Sequence, residues 1–345
     1  MNKIKIFFRK YWLFILLATL VTILALFYFI QKEISPQKET NLLSLTKPEI
    51  KNFSTITPNL NELEKNFSSF SKTLEVYQVD KTLITDQQAV KIAQNFNFKE
   101  NPSVTNYIQG PLYSWASSQA NLTIYLEEGR LQYTENQSLA EGEPPAFKEA
   151  EDKLQEILKE KELLPPEKIN TEISQENFYF SNGTDFIKTN PDNPQKSFTF
   201  IEFIYKINNF RIDGLETPLI SVYFANNLQI VRFDFSKIFE KVDSLNFYPL
   251  KTKDEIIKNL KENPRISFLK DIKSFYQENL ISGEKVPDLQ SLSFNKIEII
   301  YYKNIGKQTS LQPVFLITGT AVLKDGTQAE AGLYLPAIKD RYLLK

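Results

Sequence analysis

Residues Tyr11–Ile30 read YWLFILLATLVTILALFYFI, twenty residues with no charge, no Pro and no Gly. Few environments accept such a run. A bilayer core is about 30 Å thick, and a helix rising about 1.5 Å per residue crosses it in roughly 20 residues. Inside the run, the hydroxyls of Thr19 and Thr22 can bond back to the preceding helical turn. Tyr11 and Trp12 stand at one end and Phe27, Tyr28 and Phe29 at the other, where amphipathic rings favour the headgroup level. Lys3, Lys5, Arg9 and Lys10 precede the run and no acid does. The positive-inside rule then puts the N-terminus in the cytoplasm and the C-terminal region outside. A cleaved signal peptide would have an apolar region of about 7–15 residues ending in small side chains. This run is longer and ends in bulky aromatics. The expected location is therefore a cell membrane, crossed once.

The remainder must support itself without covalent staples. The chain has no Cys and no His. Its 41 basic and 42 acidic residues include the four leading cations, which leaves 37 against 42 beyond the run, a net of −5. A mildly acidic surface argues against nucleic acid as a partner. Domains without disulfides stand on apolar cores, and some 300 residues suffice for two or three.

Beyond the run the pattern alternates between helix and meander. Residues 31–58 are polar, with Pro36, Pro48 and Pro58, and read as a stalk. Leu60, Leu63, Phe67 and Phe70 have helical spacing. LEVYQV from Leu74 reads as a strand, and Thr85-Asp-Gln-Gln88 as a capping box before a helix bearing Ala89, Ile92, Ala93 and Phe96. Short strands follow around 107–108, 111–115, 122–126 and 131–133, with Gly129 in the last turn. Pro145 opens a second helix to about Lys161, carrying Phe147, Ala150, Leu154, Ile157 and Leu158. Strands are expected at 178–180, 197–207, 219–225 and 228–235. Turns are expected at Arg211-Ile-Asp-Gly214 and at Asn226-Asn227, the latter a two-residue hairpin. Thr252-Lys-Asp-Glu255 caps a third helix that Pro264 ends. A further helix is expected over Phe268–Leu280, then strands at 297–302, 311–320 and 329–335, with Asp325-Gly326 in the last hairpin.

The expected class is α+β: one N-terminal transmembrane helix, then two or three units of a helix packed on an antiparallel meander sheet. The expected divisions are a basic tail (1–10), the transmembrane helix (11–30), a stalk or linker (31–72), a first α+β domain (73–140) and a second α+β region (141–345). The short linker at Lys241–Leu250 leaves that last region as one domain or as two units, 141–245 and 246–345.

Chemistry is constrained mainly by what is missing. Without His or Cys there is no imidazole or thiolate catalysis and no ordinary zinc site. Ser69-Phe-Ser-Lys72 has the S-x-x-K spacing, yet its companion motifs are absent and a linker helix accounts for it. Glu127-Glu128 and Glu141/Glu143 are carboxylate pairs at a turn and in a Pro-rich linker. Asn182-Gly-Thr-Asp185 and Asp192-Asn193 are oxygen-rich, but too short for a calcium loop. No catalytic, cofactor-binding or metal residue is assigned. The remaining candidates are aromatics: Tyr113, Trp115, Tyr301 and Tyr302 could line a groove for cell-wall glycan or peptide, or contact a partner. Aromatics alternating in strands also build cores.

Two passages carry a resemblance. ITDQQAVKIAQNF with LEEGRLQYT, and FIYKINNFRIDGLETPLISVYFANNLQIVRFDF with YPLKTKDEIIKNL, resemble the exterior domains of the YycH/YycI group, with part of the pattern shared by PepSY-like domains. That group consists of single-pass bacterial membrane proteins that modulate a cell-wall sensor histidine kinase. The resemblance spans roughly residues 73–340 and is one of pattern. It implies α+β exterior domains, no catalytic residues, and action through contact with another membrane or envelope protein.

Overall fold

Helices start where side chains can satisfy the free N–H groups of the first turn. In the computed structural model these are α1 (Asn61–Lys65), α2 (Asp86–Asn95), α3 (Phe147–Glu160) and α4 (Lys253–Glu262). Before α2, Thr85 Oγ1 accepts from the Gln88 N–H at 3.2 Å, and the Gln88 side chain accepts from the Thr85 N–H at 3.0 Å. Thr252 and Glu255 close the same reciprocal pair before α4, at 3.3 and 2.6 Å. Ala146 has no hydroxyl, so α3 has half of the device: Glu149 accepts from the Ala146 N–H at 3.2 Å. Ala150, Leu154, Ile157 and Leu158 form the buried stripe of α3. Burying each large aliphatic side chain contributes about 1.5–3 kcal/mol. The structure describes Thr22 and residues 42–344, except 68–69, 81–83, 108–109, 137–141, 182–185, 215–218, 273–279, 282–284 and 304–307.

Strands supply most of the structure. In chain order they are β1 (Phe53–Ser54), β2 (Thr73–Val79), β3 (Ser103–Tyr107), β4 (Gly110–Ala116), β5 (Ala120–Tyr125) and β6 (Arg130–Glu135). After α3 come β7 (Asn170–Ser181), β8 (Phe186–Thr189), β9 (Phe198–Ile207), β10 (Phe210–Asp213), β11 (Leu219–Phe224), β12 (Ile230–Ser236) and β13 (Val242–Pro249). The last are β14 (Arg265–Ile266), β15 (Phe268–Asp271), β16 (Leu289–Tyr302), β17 (Ser310–Leu323) and β18 (Gln328–Pro336).

The class is α+β, dominated by one large sheet. A ladder runs β13-β2-β17-β16-β10-β9-β11-β12-β6-β5-β4-β3, with β18 on β17 and β7 on β9. One junction, β10 on β16, is parallel, pairing Ile212 with Tyr301 and Asp213 with Tyr302. The main core lies where α2 and α3 cover the sheet. Ala89, Ala93, Leu154 and Leu158 pack there with Leu122, Ile124, Ile201, Phe203, Val222 and Phe233. Residues 44–345 form one unit by their internal contacts. Among the described residues no helix is long and apolar enough to cross a membrane. Apart from Thr22, the run Tyr11–Ile30 lies outside the described residues.

Several local expectations change. Arg211-Ile-Asp-Gly214 is not a turn: its first three residues belong to β10. The turn lies just before, at Asn208 and Asn209, whose φ of 47° and 66° Asn tolerates better than most residues. At Asn226-Asn227 the loop is longer than two residues, closed by Ala225 N–H donating to Gln229 O at 2.9 Å. The start of the helix expected over Phe268–Leu280 is strand instead. Phe268–Asp271 pairs with β18, and 273–279 lie outside the described residues. The linker expected at Lys241–Leu250 is β13, whose polar side chains hide a strand that β2 makes by pairing with it. Residues read as stalk are docked from Ser44 onward: Leu45 is buried and bridges Leu343, and β1 pairs with β14.

Candidate functional site

The aromatic candidates lie on strands whose faces are covered: alternation puts Tyr301 and Tyr302 on opposite faces of β16, and each packs into a different core. Trp115, on β4, is 4% exposed, and its indole N–H donates to Glu100 O at 3.0 Å. Tyr301 and Tyr302, at the end of β16, are each 1% exposed. The Tyr301 hydroxyl donates to Glu75 O at 2.6 Å, and its ring centroid lies 5.5 Å from that of Tyr77. Burial, reinforced by Tyr77, pushes the Tyr301 phenol well above its ordinary value. Tyr302 packs on Tyr334 at 5.2 Å. Only Tyr113 is half-buried, its ring 6.1 Å from Trp115. An open aromatic groove at these positions is therefore corrected to core packing: Trp115 and Tyr301 each bury a ring and keep a polar tip bonded, and Tyr302 buries its ring against Tyr334.

The other candidates do not converge. Lys72 is exposed, and Ser69 lies outside the described residues. Glu127 is exposed at its turn, while Glu128 lies 3.6 Å from Arg130. Glu143 is exposed and Glu141 is not described, nor are 182–185. Asn193 spends its side-chain oxygen on the Gln195 N–H at 2.9 Å, a local turn. Among the described residues no group of three or more acidic side chains is arranged to hold a metal.

A cleft of about 820 Å³ opens where β7, β9 and β10 face β15, β16 and β18. Arg211 bridges two carboxylates in it, Asp213 at 3.0 Å and Glu298 at 2.8 Å, and Lys296 reaches Glu298 at 3.3 Å. Arg211 and Lys296 together match the two carboxylates in charge. Glu202 differs. Burial raises its carboxyl above the usual range, and the Ser174 hydroxyl, which donates to it at 2.6 Å, offsets only part of that. At the back of the cleft the Tyr334 hydroxyl donates to Gly214 O at 3.0 Å. The arrangement can hold a polar segment by complementary charge.

No family model matches this chain, and no curated protein matches its sequence. Among solved structures it is similar to an uncharacterized protein from Eubacterium rectale ATCC 33656, at 11% identity and a TM-score of 0.43. That similarity covers 77% of this chain and 84% of the other. A likeness of that strength carries no functional inference.

The cleft was not legible in the sequence as a motif, because its charged residues come from Lys51 and from five strands, β9, β10, β15, β16 and β18, spread over Lys51–Glu330. A weaker signal exists. Glu202 is the one charge between Phe198 and Tyr205 (FTFIEFIY), and Glu298 sits within IEII. A lone carboxylate in an apolar strand marks a position that must meet water or a partner charge.

Proposed function

We propose that this chain is a non-enzymatic, membrane-anchored extracytoplasmic protein of a bacterial envelope that acts through contacts with another membrane or envelope protein. Regulation of an envelope sensor or assembly, after the YycH/YycI pattern, is the form of action that its sequence resemblance favours. The observation that carries this reading is the uncharged run Tyr11–Ile30 behind Lys3, Lys5, Arg9 and Lys10. In this reading the run is a single transmembrane helix, and the helix-plus-meander units stand outside the membrane as the contacting part. The cleft fits it, since the four basic side chains that line it (Lys51, Arg211, Lys270 and Lys296) are matched in number by four acidic ones (Glu202, Asp213, Glu298 and Glu330).

The test is twofold. Reporter fusions at the C-terminus should be active only with a reporter that works outside the cytoplasm. In-cell crosslinking of the full chain should then recover a specific envelope protein. Cytoplasmic activity of the fusion refutes the topology, and recovery of no envelope protein refutes the mode of action.

A further inference from the structure

We propose that β3 is a pairing edge for a second copy of this chain, the two strands joining antiparallel about a two-fold axis at Thr105. Among the described residues, β3 ends the ladder and pairs on one side alone, with β4. All five of its residues are exposed, including Val104 at 55% and Tyr107 at 56%. Its sequence, SVTNY, has no charge and no Pro. Edges that must stay single are usually blunted by charge, Pro or a bulge. The opposite end of the same ladder is built that way: β13 has Asp243, Pro249 and a register shift between Ser244 and Asn246. β3 has none of these devices.

The hydrogen-bonding parity of β3 can be worked out from its neighbour. Within a strand the N–H and C=O of one residue point to the same side, and the side alternates along the chain. Leu126 N–H donates to Pro111 O at 3.3 Å, so the Pro111 carbonyl faces β5. Asn106 lies opposite Pro111 and Val104 opposite Tyr113. The N–H and C=O of Asn106 and Val104 therefore point away from β4, to the open side. Ser103, Thr105 and Tyr107 bond inward.

A second β3 fits this edge in a register that uses both open residues. Val104 of one copy faces Asn106 of the other and exchanges both bonds with it, and the reverse pair does the same. Thr105 then faces Thr105, a favourable cross-strand pair, and Ser103 faces Tyr107. No like charges are opposed, and no unpaired charge calls for a partner of opposite sign. The edge is its own complement, which is the requirement for a two-fold interface. This pairing does not rest on the membrane anchor or on any other protein.

The chain has no Cys, so a single introduced thiol reports position cleanly. In the paired register Thr105 is a non-hydrogen-bonded pair with Cα atoms about 4.5 Å apart, inside the disulfide range of about 4.4–6.8 Å. The experiment is mild oxidation of the purified full-length Thr105→Cys protein, with Ser103→Cys as a positional control. Asn106→Pro is then added to Thr105→Cys. It removes an outward N–H and leaves the β3–β4 bonds intact, a position where an edge strand tolerates Pro. The expected result is a covalent dimer from Thr105→Cys, little from Ser103→Cys, and loss of the dimer with Asn106→Pro at an unchanged thermal melt. No dimer from Thr105→Cys, equal crosslinking at the two positions, or a dimer that survives Asn106→Pro overturns the proposal.

Discussion

Gly214→Ala should separate crowding from backbone conformation as the reason a glycine is needed. Gly214 follows β10, beside the parallel junction with β16, and has no left-handed φ to explain it. A Cβ built there would lie 2.2 Å from Lys303 O, a backbone atom that cannot swing aside, where real Cβ atoms keep at least 3.0 Å. The strands must part by most of an ångström. That strains the Lys303 N–H to Asp213 O bond of 2.7 Å and the Tyr334 hydroxyl to Gly214 O bond of 3.0 Å. Overpacking costs about 1–3 kcal/mol and each weakened bond about 1 kcal/mol, so about 3 kcal/mol is expected in all. For a unit of about 300 residues this lowers the melting temperature by about 5 °C. Gly326 is the control: its φ is +86° and nothing lies within 4 Å of a Cβ there. Gly326→Ala should cost about 1–2 kcal/mol for its left-handed backbone. Gly326→Asn should recover part of that, whereas Gly214→Asn should be worse than Gly214→Ala. Melts followed by circular dichroism decide it. A Gly214→Ala protein that melts no lower than Gly326→Ala refutes the close approach as the reason for that glycine.

Glu202→Gln should stabilise the fold at neutral pH and have no such effect in acid. Burial raises the folded carboxyl above its ordinary value of 4.5, so folding favours the protonated form. The associated stability is present below the unfolded value and is lost as pH rises through the folded one. Gln keeps an oxygen for the Ser174 hydroxyl without the charge. Melting temperatures of both proteins across pH check it, and a gain that persists in strong acid contradicts the sign. Thr252→Ala should cost about 1 kcal/mol through loss of the α4 cap, and Thr252→Ser should restore most of it. Urea midpoints give the values, and equal losses for Ala and Ser would show that the hydroxyl is not the contributing group.

The helices were legible because their determinants are local. Thr85 with Gln88 and Thr252 with Glu255 are three residues apart, and the stripe Ala150, Leu154, Ile157, Leu158 repeats with the turn of one helix. The Asp325-Gly326 hairpin was legible for the same reason, since Gly326 supplies the positive φ that the turn requires. The sequence also determined which reactive groups exist at all, having neither His nor Cys. Tertiary structure decided what depends on a distant partner. β13 is a strand because β2 lies beside it, and Phe268–Asp271 is strand because β18 pairs with it. Trp115, Tyr301 and Tyr302 read more readily as core than as groove, yet the sequence left both open, since alternation puts a ring on one face of a strand without saying what covers that face. The cleft and the open side of β3 have the same origin. Arg211 meets Glu298 only because β10 runs parallel to β16, and Asn106 faces outward only because Pro111 spends its carbonyl on Leu126. Local spacing sets which way a residue turns within its own element, and the packing of elements far apart in the chain sets what it meets.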